Sequence, residues 1–212
     1  MLKSIKYLWL FLSLNIAFQL ISDVTANRLV NFGDFTTSVT VLYFPITYII
    51  SDVIVEVYGF KVARISLYMT LLSSIIAGLI FQLILLLPSP GFTKEITVAY
   101  EMILSSTPRI LIAGWLAVFG GDMINNYVMI KMIGFFNVWF LPLRTITSTI
   151  IGQLVNSIIF YTIAFYHILD IYTLTISILF GSIFKIGVEI IFTPITVIVI
   201  NLIKRKELPK TL

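Results

Sequence analysis

Asp52 and Glu56 stand four residues apart in FPITYIISDVIVEVYGFKVAR (residues 44–64), an apolar stretch with no exit signal before Tyr58-Gly59, Lys61 and Arg64. Three later segments carry comparable sets: Asp122 with Asn125 and Asn126, Gln153 with Asn156, and Lys185 with Glu189. Spacings of three and four place the members of each set on one helical face. Asn15 and Gln19 add two polar groups to the first apolar segment. An ionisable group at mid-membrane costs at least about 2.5–3.5 kcal/mol, so it persists where it meets a cavity or a partner. Carboxylates, carboxamides and a lysine, with Tyr48 and Phe184 nearby, suit a flat neutral ligand with several donors and acceptors along its edge. A nucleobase is one such ligand: a guanine-like edge offers adjacent N–H donors to a carboxylate and a carbonyl to Asn, Gln or Lys. The residues alone point to a transporter of small polar solutes, with a base as one option.

Other chemistries lack their residues. The chain has no cysteine, which excludes disulfides and thiolate metal sites, and its one histidine, His167, is too little for a His-based metal site or triad. No glycine loop of the phosphate-binding kind is present, so the chain has no ATPase of its own. Asp52 and Asp122 lack the motifs expected around an aspartyl-protease pair. We expect no catalytic residue, no metal and no cofactor.

The elements that must position these residues are membrane spans. The 212 residues are 59% hydrophobic and 11% charged, with a mean hydropathy of +1.05. A soluble domain has about 45–50% apolar and about 25% charged residues. A spanning helix needs about 20 apolar residues, and six such segments are expected, at 5–23, 38–59, 65–88, 109–132, 145–168 and 173–203. The first is read as a retained helix rather than a cleaved signal peptide, because it is long and interrupted by Asn15 and Gln19. The expected fold is an all-α integral membrane protein, a single domain over 1–212 that bundles six transmembrane helices. Turns are expected at Asn31-Phe32-Gly33-Asp34, Gly59, Pro88-Ser89-Pro90-Gly91, Gly134 and Asp170. Residues 92–108 could form a short interfacial helix.

Orientation follows from the bases. With both termini cytoplasmic, Lys3, Lys6, Lys61, Arg64, Lys131, Arg144, Lys204, Arg205, Lys206 and Lys210 lie inside, and Arg28, Lys94 and Arg109 outside. Counting about 1.5 Å per residue, Asp52, Asp122 and Lys185 then lie about 18–21 Å into their spans. Five helices bring polar groups to similar depth, which describes a polar cavity within a bundle. The third, with no charge below Arg64, is the lipid-facing or packing helix. Plainer roles compete: Lys185–Glu189 as a self-neutralising pair, Glu56 as an interfacial residue near Lys61, and Asn15, Gln19 and Asn126 as interhelical glue. The small residues Ala113, Gly114, Ala117, Gly120 and Gly121 let a neighbour pack closely and permit a homodimer.

The stretch with Asp52, Glu56, Tyr58, Gly59, Lys61 and Arg64 resembles the hallmark of the queuosine precursor transporter family, also described as vitamin uptake transporter-like. FGGDMINNYVMIKM, RTITSTIIGQLVNSIIFYTIAF and FKIGVEIIFTPITVIVINLIKRKE agree with it, covering four of the six spans in order. The resemblance implies a multi-pass protein of the bacterial inner membrane that takes up 7-deazaguanine precursors of queuosine: 7-cyano-7-deazaguanine, 7-aminomethyl-7-deazaguanine or queuine. It favours Asp52, Asp122, Asn125, Gln153, Asn156, Lys185 and Glu189 for the substrate, and Glu56 with Arg144 or Lys61 for an inner gate. Asn156 departs from the family, where an aspartate is frequent, which puts a proton or cation acceptor in doubt. Asp52, Asp122 and Glu189 remain rival carboxylates for the base. The implied partners are a nucleobase-like small molecule and the lipid bilayer, with no nucleic acid. The alternative is a substrate-binding subunit of an energy-coupling-factor vitamin importer, although the first helix lacks its Ala-x-x-x-Ala spacing.

Overall fold

A computed structural model describes residues 5–26, 28–32, 35–104, 108–132, 141–167 and 169–207. Lys3, Lys210, Gly134 and the Gly33-Asp34 pair lie outside the described residues. The order is helix α1 (Leu8–Thr25), strands β1 (Leu29–Phe32) and β2 (Phe35–Ser38), and a 3-10 turn at Val39–Leu42. Helices α2 (Pro45–Tyr58) and α3 (Phe60–Leu85) follow, then a short 3-10 turn at Gly91–Thr93. Helices α4 (Lys94–Leu104), α5 (Pro108–Lys131), α6 (Leu141–Phe165) and α7 (Ile171–Glu207) complete the chain. The protein is a helical bundle apart from the β1–β2 hairpin, an antiparallel pair with Leu29 opposite Ser38.

Five helical segments are long and apolar enough to cross a bilayer: α1, α3, the segment that holds α5, α6 and α7. The span expected at 38–59 is different. Its α-helix, α2, has only 14 residues, about 21 Å of length against a hydrocarbon core of about 30 Å. The chain approaches it through β2 and the 3-10 turn. Eleven residues of α2 are buried, among them Tyr48, Asp52, Val53 and Val55, and it packs on α1, α3, α5 and α7. It is the central post of the bundle, walled off from lipid.

Gly59 explains the Tyr-Gly of the motif. It caps α2 and opens α3 with φ 91° and ψ 166°, a backbone region that only glycine occupies without strain. One residue therefore turns the chain from the central helix into a peripheral one, and α3 starts at Phe60, five residues earlier than expected. Asp170 starts α7 by accepting the Tyr172 and Thr173 N–H groups on one carboxyl oxygen, both at 3.0 Å. The expected last span, 173–203, becomes a 37-residue helix with Pro194 inside it, about 55 Å long and longer than a bilayer requires.

The amphipathicity is inverted. On α3 the buried face is Ala63, Ser66, Leu67, Thr70, Ser74 and Gly78, at three- and four-residue steps, while Ile65, Leu72, Leu79 and Leu83 are exposed. On α1 the buried residues are all polar: Asn15, Gln19 and Ser22. Lipid is as apolar as leucine, so helices gain by turning small and polar faces toward one another. The α5–α6 contact shows this at closest approach. A Cβ added at Gly152 would lie 2.9 Å from Asn125 Cβ and 3.1 Å from the Gly121 carbonyl oxygen, so the two backbones cross in contact. The small-residue face that suggested a dimer is thus covered in part by α6 at Gly120 and Gly121. At the hairpin end Arg109 donates to the Ile163 and Tyr166 carbonyls at 2.5 and 2.7 Å, tying the start of α5 to the end of α6.

Candidate substrate site and closing staple

Four helices bring the expected polar sets together. Asp52 on α2, Asn125 on α5, Gln153 on α6 and Glu189 on α7 are fully buried, and Asp122 and Asn156 are nearly so. Asn125 Nδ2 donates to Asp52 Oδ1 at 2.9 Å, and Ser51 donates to Asn126 Oδ1 at 3.0 Å. Tyr48 lies one turn above Asp52, in the space left by Gly121 and Gly152. Asp52, Asp122 and Glu189 all lie within electrostatic range of its ring. Glycine at those two positions of α5 and α6 is what lets an aromatic from α2 reach the crossing.

The cluster is rich in unused hydrogen-bonding capacity. Tyr48 Oη, Asp52 Oδ2, Asp122 Oδ1, Asn125 Oδ1 and both amide atoms of Gln153 are buried without a hydrogen bond. The Glu189 oxygens, beside Thr149, make none of ordinary geometry. Buried polar atoms are nearly always paired, because an unpaired one costs about 1–3 kcal/mol. A set of them from four helices is hydrogen-bonding capacity that the protein itself leaves unfilled.

Lys185 does not pair with Glu189. Its ammonium donates to Asn156 Oδ1 at 3.1 Å and stands 5.3 Å from the centre of the Phe44 ring. The self-neutralising pair that the spacing allowed is therefore absent among the described residues, whose ion pairs all belong to Glu56. Lys185, Asn156 and Phe44 lie along the lining of a partly open cavity of about 50 Å³. Its walls also include Val41, Leu111, Val118 and Phe160, and its polar rim includes Gln19, Asp23 and Ser38. It opens toward the hairpin end, on the opposite side of the carboxylates from Glu56.

Sequence reasoning missed Asp23. It accepts from Gln19 Nε2 at 2.9 Å and from Ser74, whose oxygen in turn accepts from Trp115 Nε1 at 2.7 Å. The four-residue step from Gln19 was the available signal, hidden because this stretch reads like the end of a signal peptide.

At the other end Glu56 is held twice, by Arg144 and Lys204, each at 2.5 Å. Arg144 also donates to the Met129 carbonyl at 3.3 Å. One carboxylate thus staples α2, α5, α6 and α7, above an apolar plug of Tyr58, Leu141, Ile200 and Ile203. The pairing offered to Arg144 or Lys61 goes to Arg144 and Lys204, and Lys61 is exposed at the start of α3. Lys204 was legible in part: Ile200, Ile203 and Glu207 are buried, and steps of three and four carry that face through residue 204. Glu207 accepts the Tyr7 backbone N–H at 2.7 Å, so the terminal regions close over the staple.

The arrangement is a buried polar cluster in the interior of the bundle, with a cavity lined in part by Asn156 and Lys185 toward one end and a charged staple toward the other. Among the described residues no set of three acids or histidines is placed to hold a metal ion. No curated protein and no solved structure matches the chain. A family model described as "Putative vitamin uptake transporter" matches residues 38–199, from the turn before α2 to late α7, and so contains the buried polar set of α2, α5, α6 and α7 and all of the staple but Lys204, while Gln19 and Asp23 precede it. The chain is a multi-pass membrane protein that belongs to this vitamin uptake transporter family.

Proposed function

We propose that the protein carries a 7-deazaguanine precursor of queuosine across the bacterial inner membrane into the cytoplasm. The observation that carries this reading is the set of unpaired buried donors and acceptors from α2, α5, α6 and α7 around Tyr48. A guanine-like edge matches that set: one carboxylate accepts its two adjacent N–H groups, and the Gln153 or Asn125 amide meets its carbonyl side. Asp52 is the leading carboxylate, because Asn125 already fixes one of its oxygens and leaves the other for the ligand. The hairpin end faces outward in this reading, with both termini and the basic residues Lys204, Arg205 and Lys206 in the cytoplasm. The substrate enters through the cavity beside Asp23, passes Lys185 and Phe44, and reaches the carboxylates. Release needs the Glu56 staple to part. No enzymatic step is required.

The test is uptake in a strain unable to make or import these precursors, carrying this gene alone, with queuosine in tRNA as the readout. Restored queuosine with one or more of the three bases is the expected result. Asp52→Asn should abolish uptake with membrane protein levels unchanged; normal uptake would sink the role given to Asp52. Uptake by the purified chain alone in liposomes separates this reading from a subunit that needs an energy-coupling partner.

A further inference from the structure

The charges around the site do not balance. Glu56 is neutralised twice over, by Arg144 and Lys204. Asp52, Asp122 and Glu189 have no cation within 4 Å among the described residues, and Asp23 waits at the cavity mouth. Against these four acids the interior offers Lys185, whose ammonium is engaged by Asn156 and the Phe44 ring. Arg144 acts on Asp52 only at longer range, and Glu56 acts on it with the opposite sign. The charged groups that face the site are thus Asp23 on α1, Asp52 and Glu56 on α2, Asp122 on α5, Arg144 on α6, and Lys185, Glu189 and Lys204 on α7, with the remaining charges of these helices near their ends.

A guanine-like edge occupies one carboxylate. Two would remain buried without a cation, and a buried carboxyl in that position is neutralised either by a proton or by a positive charge on the ligand. Gln153 and Tyr48 are fully buried, with their polar atoms unused, in the same region. They supply neutral contacts to a ligand and cannot offset charge. We propose that the site selects a cationic cargo: among the 7-deazaguanines, the form with a protonated aminomethyl arm over the neutral cyano form. This rests on the reading above for the identity of the base, but the preference for positive charge follows from the acids themselves. Asp23 at the mouth and the three acids within form an acidic route for an ammonium group. Lys185 is the one like charge to be passed, and it is already turned onto an aromatic face.

The experiment measures binding to the full chain in lipid nanodiscs, with ligands that differ in charge, the cyano form serving as the neutral base of similar size. One set is 7-aminomethyl-7-deazaguanine, its N-acetyl derivative and the cyano form. The other is benzylammonium with benzyl alcohol. One offset buried charge at about 1.4 kcal/mol is tenfold, so acetylation should weaken binding at least about tenfold. Asp122→Asn or Glu189→Gln should shrink that ratio, whatever either does to the affinity for the acetylated base, and an unchanged ratio in both overturns the inference. Two variants are used because either alone could fail to fold, and the wild-type ligand ratio needs neither. Equal binding of charged and neutral bases overturns the inference, means that protons already balance the acids, and leaves the base assignment standing. If no deazaguanine binds but benzylammonium outcompetes benzyl alcohol, the base assignment falls and the cation preference holds. Equal binding within the benzyl pair overturns it.

Discussion

Glu56 and its two partners allow the energetic role of a charged staple to be worked out in advance. Arg144 is 1% exposed and its carboxylate partner 5%, whereas Lys204 is 24% exposed. Arg144→Met removes the better buried of the two cations, strands the Met129 carbonyl contact and leaves Glu56 with one partly wetted lysine. Breaking a buried pair by removing one partner costs about 3–5 kcal/mol. Lys204→Met leaves the tighter pair intact and removes a partner that water already screens, so about 1 kcal/mol is expected. Lys61→Met removes a solvated side chain outside the staple and should fall within about 0.5 kcal/mol of wild type. The double variant Glu56→Gln/Arg144→Met removes both members of the inner pair, so its loss should be smaller than the sum of the single losses by about 1–3 kcal/mol. The assay is reversible unfolding in mixed detergent micelles, followed by tryptophan fluorescence. Additive single losses would refute the coupling. A Lys204 effect as large as that of Arg144 would refute the burial argument, and a Lys61 effect matching either would return the partnership to α3.

Other outcomes follow from the same geometry. Gly152→Ala should cost about 1–3 kcal/mol by overpacking and lower uptake, because the new methyl meets Asn125 Cβ and the Gly121 backbone; thermal unfolding and transport of one purified sample check both. Gly59→Ala meets no atom within 4 Å, so its loss of about 1–3 kcal/mol should come from backbone strain alone, and Gly59→Ser should lose a similar amount in the same unfolding assay. Tyr48→Phe removes a buried hydroxyl that has no partner; stability should hold or rise while uptake falls, and a parallel loss of both would mean that the hydroxyl is structural. The Thr173 hydroxyl, with the Tyr172 and Thr173 amides, holds the Asp170 carboxyl below its ordinary 3.8. A depressed native value means that the cap contributes above the ordinary value and is lost as pH falls through the lowered one. Protection of the Tyr172 and Thr173 amides, measured against their intrinsic exchange rates, should therefore fall at acid pH and be low at all pH values in Asp170→Ala.

Several features were written in the sequence because they depend on local chemistry. Hydropathy over windows of about 20 residues marks spans wherever they occur, and five of the six segments are helices of spanning length. Steps of three and four placed each polar set on one face, and each set contributes a fully buried group, Asp52, Asn125, Gln153 and Glu189. What the sequence left open depends on which helix stands next to which. An apolar run reads the same whether lipid or protein surrounds it, so nothing local showed that 38–59 would become a short, walled-in helix entered through a hairpin. Spacing allowed Lys185 to meet Glu189 and Lys61 to meet Glu56. The tertiary arrangement sent Lys185 to Asn156 on α6 and gave Glu56 to Lys204, 148 residues away. Asp23 becomes part of the cavity only because Ser74 and Trp115 come from two other helices to hold it. Ionisable groups are costly enough in a membrane to be found from composition and depth. Which partner offsets each one is a property of distance, and distance exists only once the helices have packed.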